Sequence, residues 1–152
     1  MADIIIREEL IELGLDVQSK QEAIRALGAN LLAFDYVTDD YVDQVLRREE
    51  NFPTGLPTSI PVALCHTEAE YVKQSAMAVG TLVNPVEFME MGTLDEFVQA
   101  EIIFLLALND PKQQVPWLSK MATVFKDEET LLTIKNSQNK KALVSFLQTI
   151  FQ

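Results

Sequence analysis

Side chains that do covalent chemistry are scarce in this 152-residue chain, which has one histidine and one cysteine. A lone cysteine excludes an internal disulfide and fits a reducing compartment, so a cytoplasmic protein is expected. The two residues are adjacent, Cys65-His66, and neighbours on a strand point to opposite faces, so they cannot share a His/Cys metal site. No metal or other cofactor is therefore expected. Glycine is also sparse, with five in all; Gly80 and Gly92 stand alone, and no glycine-rich loop of nucleotide-binding type occurs. Basic residues number 12 against 23 acids, for a net charge of -11. The cationic footprint that nucleic acid requires is missing. The longest apolar run near the chain's end, Ile102 to Leu108, is far too short to span a bilayer, so no membrane insertion is expected. Met1-Ala2-Asp3 lacks the basic start of a signal peptide.

What is present is core-forming material, 48% of residues being hydrophobic. The length matches the usual prior of about 100–200 residues per domain, so residues 1–152 are expected to form a single domain. The excess of acid either keeps such a protein soluble or speeds encounter with a basic protein partner. After Ile4-Ile5-Ile6 and a short extended piece, Ser19 begins a helix, with Glu22 placed to complete a capping box. Its apolar positions, Ala23, Ile24, Leu27, Leu31, Leu32 and Phe34, recur at helical spacing. Gly28 interrupts them at a cost of about 0.5–1 kcal/mol. Thr38-Asp39-Asp40 starts a second helix that carries Arg47 and Arg48 in its last turns, and Pro53, Gly55 and Pro57 end it.

The middle third changes period. Residues 60–65, 76–82, 86–91 and 101–108 read as strands, the last apolar at nearly every position and so covered on both faces. Pro111 suits a first helical turn, and three helices follow, around Val115–Phe125, Leu131–Ile134 and Ala142–Ile150. Two helices, four or five strands and three more helices predict an α/β sandwich, with a central mixed sheet of about five strands flanked by helices.

His66 falls at the exit of the strand that begins at Ile60. Histidine can be a neutral nucleophile near physiological pH. Arg48 at a helix end and the loop Phe52-Pro53-Thr54-Gly55 precede that strand, an order that could bring the guanidinium and the Thr54 hydroxyl to the imidazole. Guanidinium, hydroxyl and loop N–H groups are the donors that a phosphoryl group needs, and a ring nitrogen would be the covalent acceptor. A purely structural histidine fits the same spacing. Cys65 reads as a small buried hydrophobe, and the many carboxylates as solvated helix faces.

Arg48-Glu49-x-x-Phe52-Pro53-Thr54-Gly55, followed by an apolar strand ending in His66, resembles the enzyme IIA domains of the phosphoenolpyruvate-dependent sugar phosphotransferase system. The branch is the fructose/mannitol superfamily, and the likeness is greatest to galactitol-type members. Pro85-Val86-x-Phe88-x-x-Met91, Leu105-Leu106-Ala107-Leu108 and Asn109-Asp110-Pro111-x-Gln113-Gln114 extend it over essentially the whole chain. The resemblance implies a cytosolic phosphocarrier. His66 would accept a phosphoryl group from the histidine-containing phosphocarrier protein. It would pass the group to a cysteine of a cognate enzyme IIB, which serves sugar entry through the membrane enzyme IIC. Arg48 would hold the phosphoryl oxygens, and Thr54 and Gly55 match the family's Thr-Gly loop. A regulatory module that uses the histidine's phosphorylation state as a signal is the alternative.

Two departures from the resemblance bear on the site. Many relatives have Ile-Pro-His where this chain has Leu64-Cys65-His66, which leaves open the ring's orientation and the nitrogen that is phosphorylated. Mannitol-type members carry a second histidine after the central strand. Here the stretch is Asp110-Pro111-Lys112-Gln113-Gln114. Lys112 or Gln113 is the candidate replacement donor; the other reading is that both are solvent-facing residues of a first helical turn.

Overall fold

A strand apolar at nearly every position must be covered on both faces, and that requirement arranges the layers. The computed structural model describes residues 3–152. Its elements in chain order are β1 (Ile11–Leu15), α1 (Lys20–Ala33), α2 (Tyr41–Asn51), β2 (Gly55–Leu56) and β3 (Val62–Cys65). They continue with β4 (Ala76–Met89), β5 (Phe97–Ala107), α3 (Pro111–Val124), α4 (Glu128–Lys135) and α5 (Lys140–Phe151). The strands form one sheet in the order β1-β4-β5-β3-β2, with β5 at its centre. β3 runs parallel to β5 and β1 parallel to β4, whereas β4 pairs antiparallel with β5. The expected mixed α/β sandwich is the fold observed. No helix among the described residues is long and apolar enough to cross a membrane.

Strand alternation divides the core. Ala63, Cys65, Ala78, Ile103 and Leu105 pack with Leu27, Leu31, Tyr41 and Val45 of α1 and α2. Val62, Leu64, Met77, Val79, Ile102, Phe104 and Leu106 pack with Trp117, Met121, Leu131, Leu143 and Leu147 of α3, α4 and α5. Each buried aliphatic or aromatic side chain contributes about 1.5–3 kcal/mol relative to exposure. Two filled layers therefore hold the sheet from both sides.

Three local expectations change. Residues 76–82 and 86–91 are one strand, not two: β4 runs from Ala76 to Met89, with a register shift between Thr81 and Val86. Pro85 lies in that interval and has no N–H for the ladder, so the pairing is interrupted but the strand continues. β5 starts at Phe97 rather than at residue 101, because the β4–β5 hairpin extends past the sheet. At the start of α1, Ser19 Oγ accepts from the Glu22 N–H at 3.1 Å, whereas Glu22 Oε2 accepts from Gln18, one residue before the cap, at 3.0 Å.

Gly28 is where α1 meets α2. A Cβ there would lie 2.3 Å from Val42 Cγ2, which is inside contact distance. The glycine's helix-propensity cost is thus offset by close packing of two helices. Near that crossing the buried Tyr41 hydroxyl donates to the Leu106 carbonyl at 2.9 Å, tying α2 to β5.

Gly28→Ala is expected to destabilise the protein by about 1–3 kcal/mol of overpacking, despite a propensity gain of about 1 kcal/mol. Adding Val42→Ala should recover part of the loss. Denaturant unfolding of the two variants measures both effects. A Gly28→Ala protein at least as stable as wild type would show that α2 yields freely at this contact.

Candidate active site

β3 runs parallel to β5 and ends at Cys65, opposite Leu105, while β5 continues to Ala107. The residue after β3 therefore emerges at the carboxyl rim of the sheet, where α/β folds place their ligand sites. That residue is His66, which is only 7% exposed. Its ring turns back along its own strand, and Nδ1 lies 3.0 Å from the Leu64 carbonyl oxygen. A carbonyl can only accept, so Nδ1 carries the hydrogen and Nε2 keeps its lone pair. The absence of proline at Cys65 does not free the ring, because the carbonyl two residues back fixes it. Burial, aided by the positive charge of Arg48, holds the imidazole below its ordinary value, with the Leu64 bond and Glu68 acting the other way. The ring is neutral at pH 7.

Arg48 comes from the last turn of α2. Its Nη1 donates to Glu68 Oε1 at 3.1 Å, and its guanidinium carbon sits 5.0 Å from the centre of the Phe52 ring. Its Nε–H is buried and has no acceptor among the described residues. Thr67 donates its hydroxyl to the other Glu68 oxygen at 2.7 Å. Arg48, Thr67, Glu68, Pro111 and Gln114 line a cleft of about 410 Å³.

Arg48 acts on His66 through its charge, which the imidazole feels; His66 itself is not among the residues that line the cleft beside Arg48. The Thr54 hydroxyl joins neither. It donates to Glu49 Oε1 at 2.7 Å, and the Thr54 N–H donates to Glu49 Oε2 at 2.8 Å. Cys65 Sγ lies 3.8 Å from the same hydroxyl, which puts Thr54 on the α2 side of β3. The Thr54 carbonyl accepts from the Leu64 N–H at 3.2 Å and pins the loop to the strand. At Gly55 a Cβ would come within 2.7 Å of both the Met89 carbonyl oxygen and Val98 Cγ2. Glycine is required there by close approach of backbones. Cys65 is fully buried, as expected, and burial pushes its thiol up.

Lys112 is exposed, and neither it nor Gln113 is among the residues that line the cleft. Gln114 does line it, its Nε2 donating to the Thr67 carbonyl at 2.9 Å. Asp110 caps α3 by accepting from the Lys112 N–H, which turns the next side chains to their positions. Glu49 is the buried residue that sequence reasoning left without a role, 3% exposed and pushed up by burial against the two Thr54 hydrogen bonds. A signal existed: Tyr41, Val45 and Glu49 are spaced four apart and form the buried stripe of α2. No group of three or more His, Cys, Asp or Glu that could hold a metal occurs among the described residues. What the arrangement offers is an uncharged ring nitrogen that feels the charge of a guanidinium with an unsatisfied N–H.

The family model described as "Phosphoenolpyruvate-dependent sugar phosphotransferase system, EIIA 2" matches residues 4–150. The mannitol-specific phosphotransferase enzyme IIA component of Bacillus subtilis (strain 168) is 26% identical over 147 residues, which cover 96% of this chain and 98% of that protein. The PTS system galactitol-specific EIIA component of Escherichia coli (strain K12) is 26% identical over 141 residues, 90% of this chain and 93% of that protein. Among solved structures, the enzyme IIA chain in the mannitol complex of enzyme IIA with phosphorylated enzyme IIB from Escherichia coli superposes with a TM-score of 0.77. It is 24% identical and the match covers 97% of this chain and 99% of that chain, which shows a shared fold.

The buried, neutral His66 makes stability depend on pH with a definite sign. Its folded value lies below its unfolded value near 6.5, so the unfolded state binds more protons in the window between the two. Stability contributed by the neutral ring is full above about pH 6.5 and falls as pH drops through the folded value, by at most about 1.4 kcal/mol per pH unit. Glu49, raised by burial, acts in the opposite sense above its ordinary value of 4.5, but equally in wild type and in a His66 variant. Denaturant unfolding at pH 7.5 and 5.5 should therefore show a larger acid loss in wild type than in His66→Gln. Equal losses would mean that the ring titrates alike in both states.

Proposed function

This chain belongs to the EIIA 2 family of the phosphoenolpyruvate-dependent sugar phosphotransferase system, and from that premise we propose that it carries a phosphoryl group on Nε2 of His66. The observation that carries this reading is the Nδ1 contact with the Leu64 carbonyl. It leaves Nε2 as the nitrogen with a free electron pair, in a ring that burial keeps uncharged and nucleophilic.

In the proposed step, Nε2 attacks the phosphorus of a phosphohistidine on the histidine-containing phosphocarrier protein. The donor's N–P bond breaks, and its electron pair returns to the donor ring. While His66 holds both the Nδ1 hydrogen and the phosphoryl group, its ring is cationic, and the Leu64 carbonyl stabilises that charge. Arg48 receives the phosphoryl oxygens; its buried Nε–H gains the acceptor that it otherwise lacks. A cationic ring is a good leaving group, so the phosphoryl group can move on to a cysteine sulfur of enzyme IIB, restoring the neutral imidazole. The enzyme IIA–phosphorylated enzyme IIB complex of the Escherichia coli relative supports enzyme IIB as acceptor.

Thr54 and Gly55 serve this site indirectly, by fixing the end of α2 and the loop after it to β3. Gln114 holds the loop that follows His66 through the Thr67 carbonyl. The destination is a sugar or sugar alcohol, galactitol-like, that enters through a membrane enzyme IIC, with the carrier itself in the cytoplasm.

Incubation with phosphoenolpyruvate and the two general phosphotransferase proteins should give acid-labile, alkali-stable phosphate on the wild-type chain and none on His66→Ala. Labelling of His66→Ala to the wild-type level would overturn the assignment. Arg48→Ala should keep the fold, since Arg48 is bonded to surface Glu68 and not to the core, and should slow transfer on the order of 100-fold, the usual loss for one preorganised donor. Unchanged single-turnover rates would remove Arg48 from the reaction.

A further inference from the structure

The contact that stands out at this rim is one that a phosphoryl site would not need. Arg48, the cation at the cleft, is already engaged by a carboxylate at 3.1 Å. Glu68 is not a wandering surface acid. Thr67, the residue between it and His66, donates a hydroxyl to its second oxygen at 2.7 Å, so the carboxylate is gripped on both sides. It lies two residues from His66 and lines the same cleft as Arg48.

We propose that Glu68 is a positioning residue that holds Arg48 at the cleft in the unphosphorylated protein and is displaced from it by the phosphoryl group. The inference rests on the reading of His66 as phosphoryl acceptor. A phosphoryl group carries roughly two negative charges near pH 7. It competes with Glu68 for the guanidinium, and the displaced carboxylate remains close enough to repel it. Binding of the donor's phosphoryl oxygens therefore requires an exchange of partners on Arg48. Afterwards the phosphorylated state keeps a like charge beside it. Both effects raise the free energy of phosphorylated His66, and a carrier that must release its group gains transfer potential by this means. The consequence is asymmetric: loss of Glu68 should help the protein to be loaded and hinder it in unloading.

The test compares wild type with Glu68→Gln, which keeps a hydrogen-bonding side chain of the same size, and with Glu70→Gln, which removes an equal charge from the same cleft without touching Arg48. Each chain is equilibrated with a limiting pool of the phosphorylated donor protein, and the phosphoryl group remaining on each partner is quantified. Glu68→Gln should shift the equilibrium toward the phosphorylated chain by roughly two- to fivefold, the range for a partly exposed ion pair. The shift should shrink with added salt, and Glu70→Gln should move the equilibrium less. The same Glu68→Gln chain should show an imidazole titration, followed by NMR, that moves to lower pH, because Glu68 favours the protonated ring. An unshifted transfer equilibrium in Glu68→Gln, or an equal shift in Glu70→Gln, overturns the inference while leaving His66 as acceptor. If the wild-type chain takes no label at all, the acceptor reading fails and this inference falls with it.

Discussion

The parallel pairing of β3 with β5 is the constraint from which the rest follows. β5 is apolar on both faces from Ile102 to Ala107, so helices must lie above and below it. β3, equally buried, can share that cover only by lying alongside. Because the two strands run in the same direction, they end at the same rim, and the residue after β3 leaves the core where α3 begins. His66 stands at this boundary and is exposed by only 7%.

Beneath the rim, Glu49 performs a structural task at some energetic cost. Moving a carboxylate out of water costs on the order of several kcal/mol, and burial accordingly pushes this one up. Two hydrogen bonds from the Thr54 N–H and hydroxyl offset part of that cost. They join the last turn of α2 to the loop, and the Thr54 carbonyl joins the loop to Leu64 of β3. Leu64 in turn supplies the carbonyl that orients His66. Arg48, next to Glu49 on the helix, and His66, two residues from Leu64 on the strand, are therefore held in relation to each other through one short chain of bonds.

Charge at the surface is arranged as an exchange. The protein carries a net charge of -11, yet its cleft presents one arginine, shared between Glu68 and the Phe52 ring. Acidic surroundings do not favour an anion in general, so a local cation with an unsatisfied Nε–H decides where one can bind. The neutral His66 adds no charge of its own until it reacts.

Local order was legible in the chain because periodicity reports burial one residue at a time. The helix from Ser19, the two-sided burial of residues 102–108, the Pro111 helix start and the strand leading to His66 all appear in the spacing of apolar and capping residues. The motif around Arg48 and His66 carried the family likeness in the same local way. Partners distant in sequence were not legible. Nothing in the spacing says that residues 76–89 form one interrupted strand, that the Thr54 hydroxyl turns to Glu49 and Cys65 and away from the imidazole, or that Gln114 reaches the loop after His66. Those outcomes depend on crossing distance and strand register, where a rotation of one residue exchanges faces. The amino-acid sequence by itself determined the layers, the position of the histidine at a strand exit and the kind of chemistry available there. Only the tertiary structure decided which ring nitrogen keeps its lone pair, because that follows from a single carbonyl placed 3.0 Å from Nδ1 by the way β3 ends.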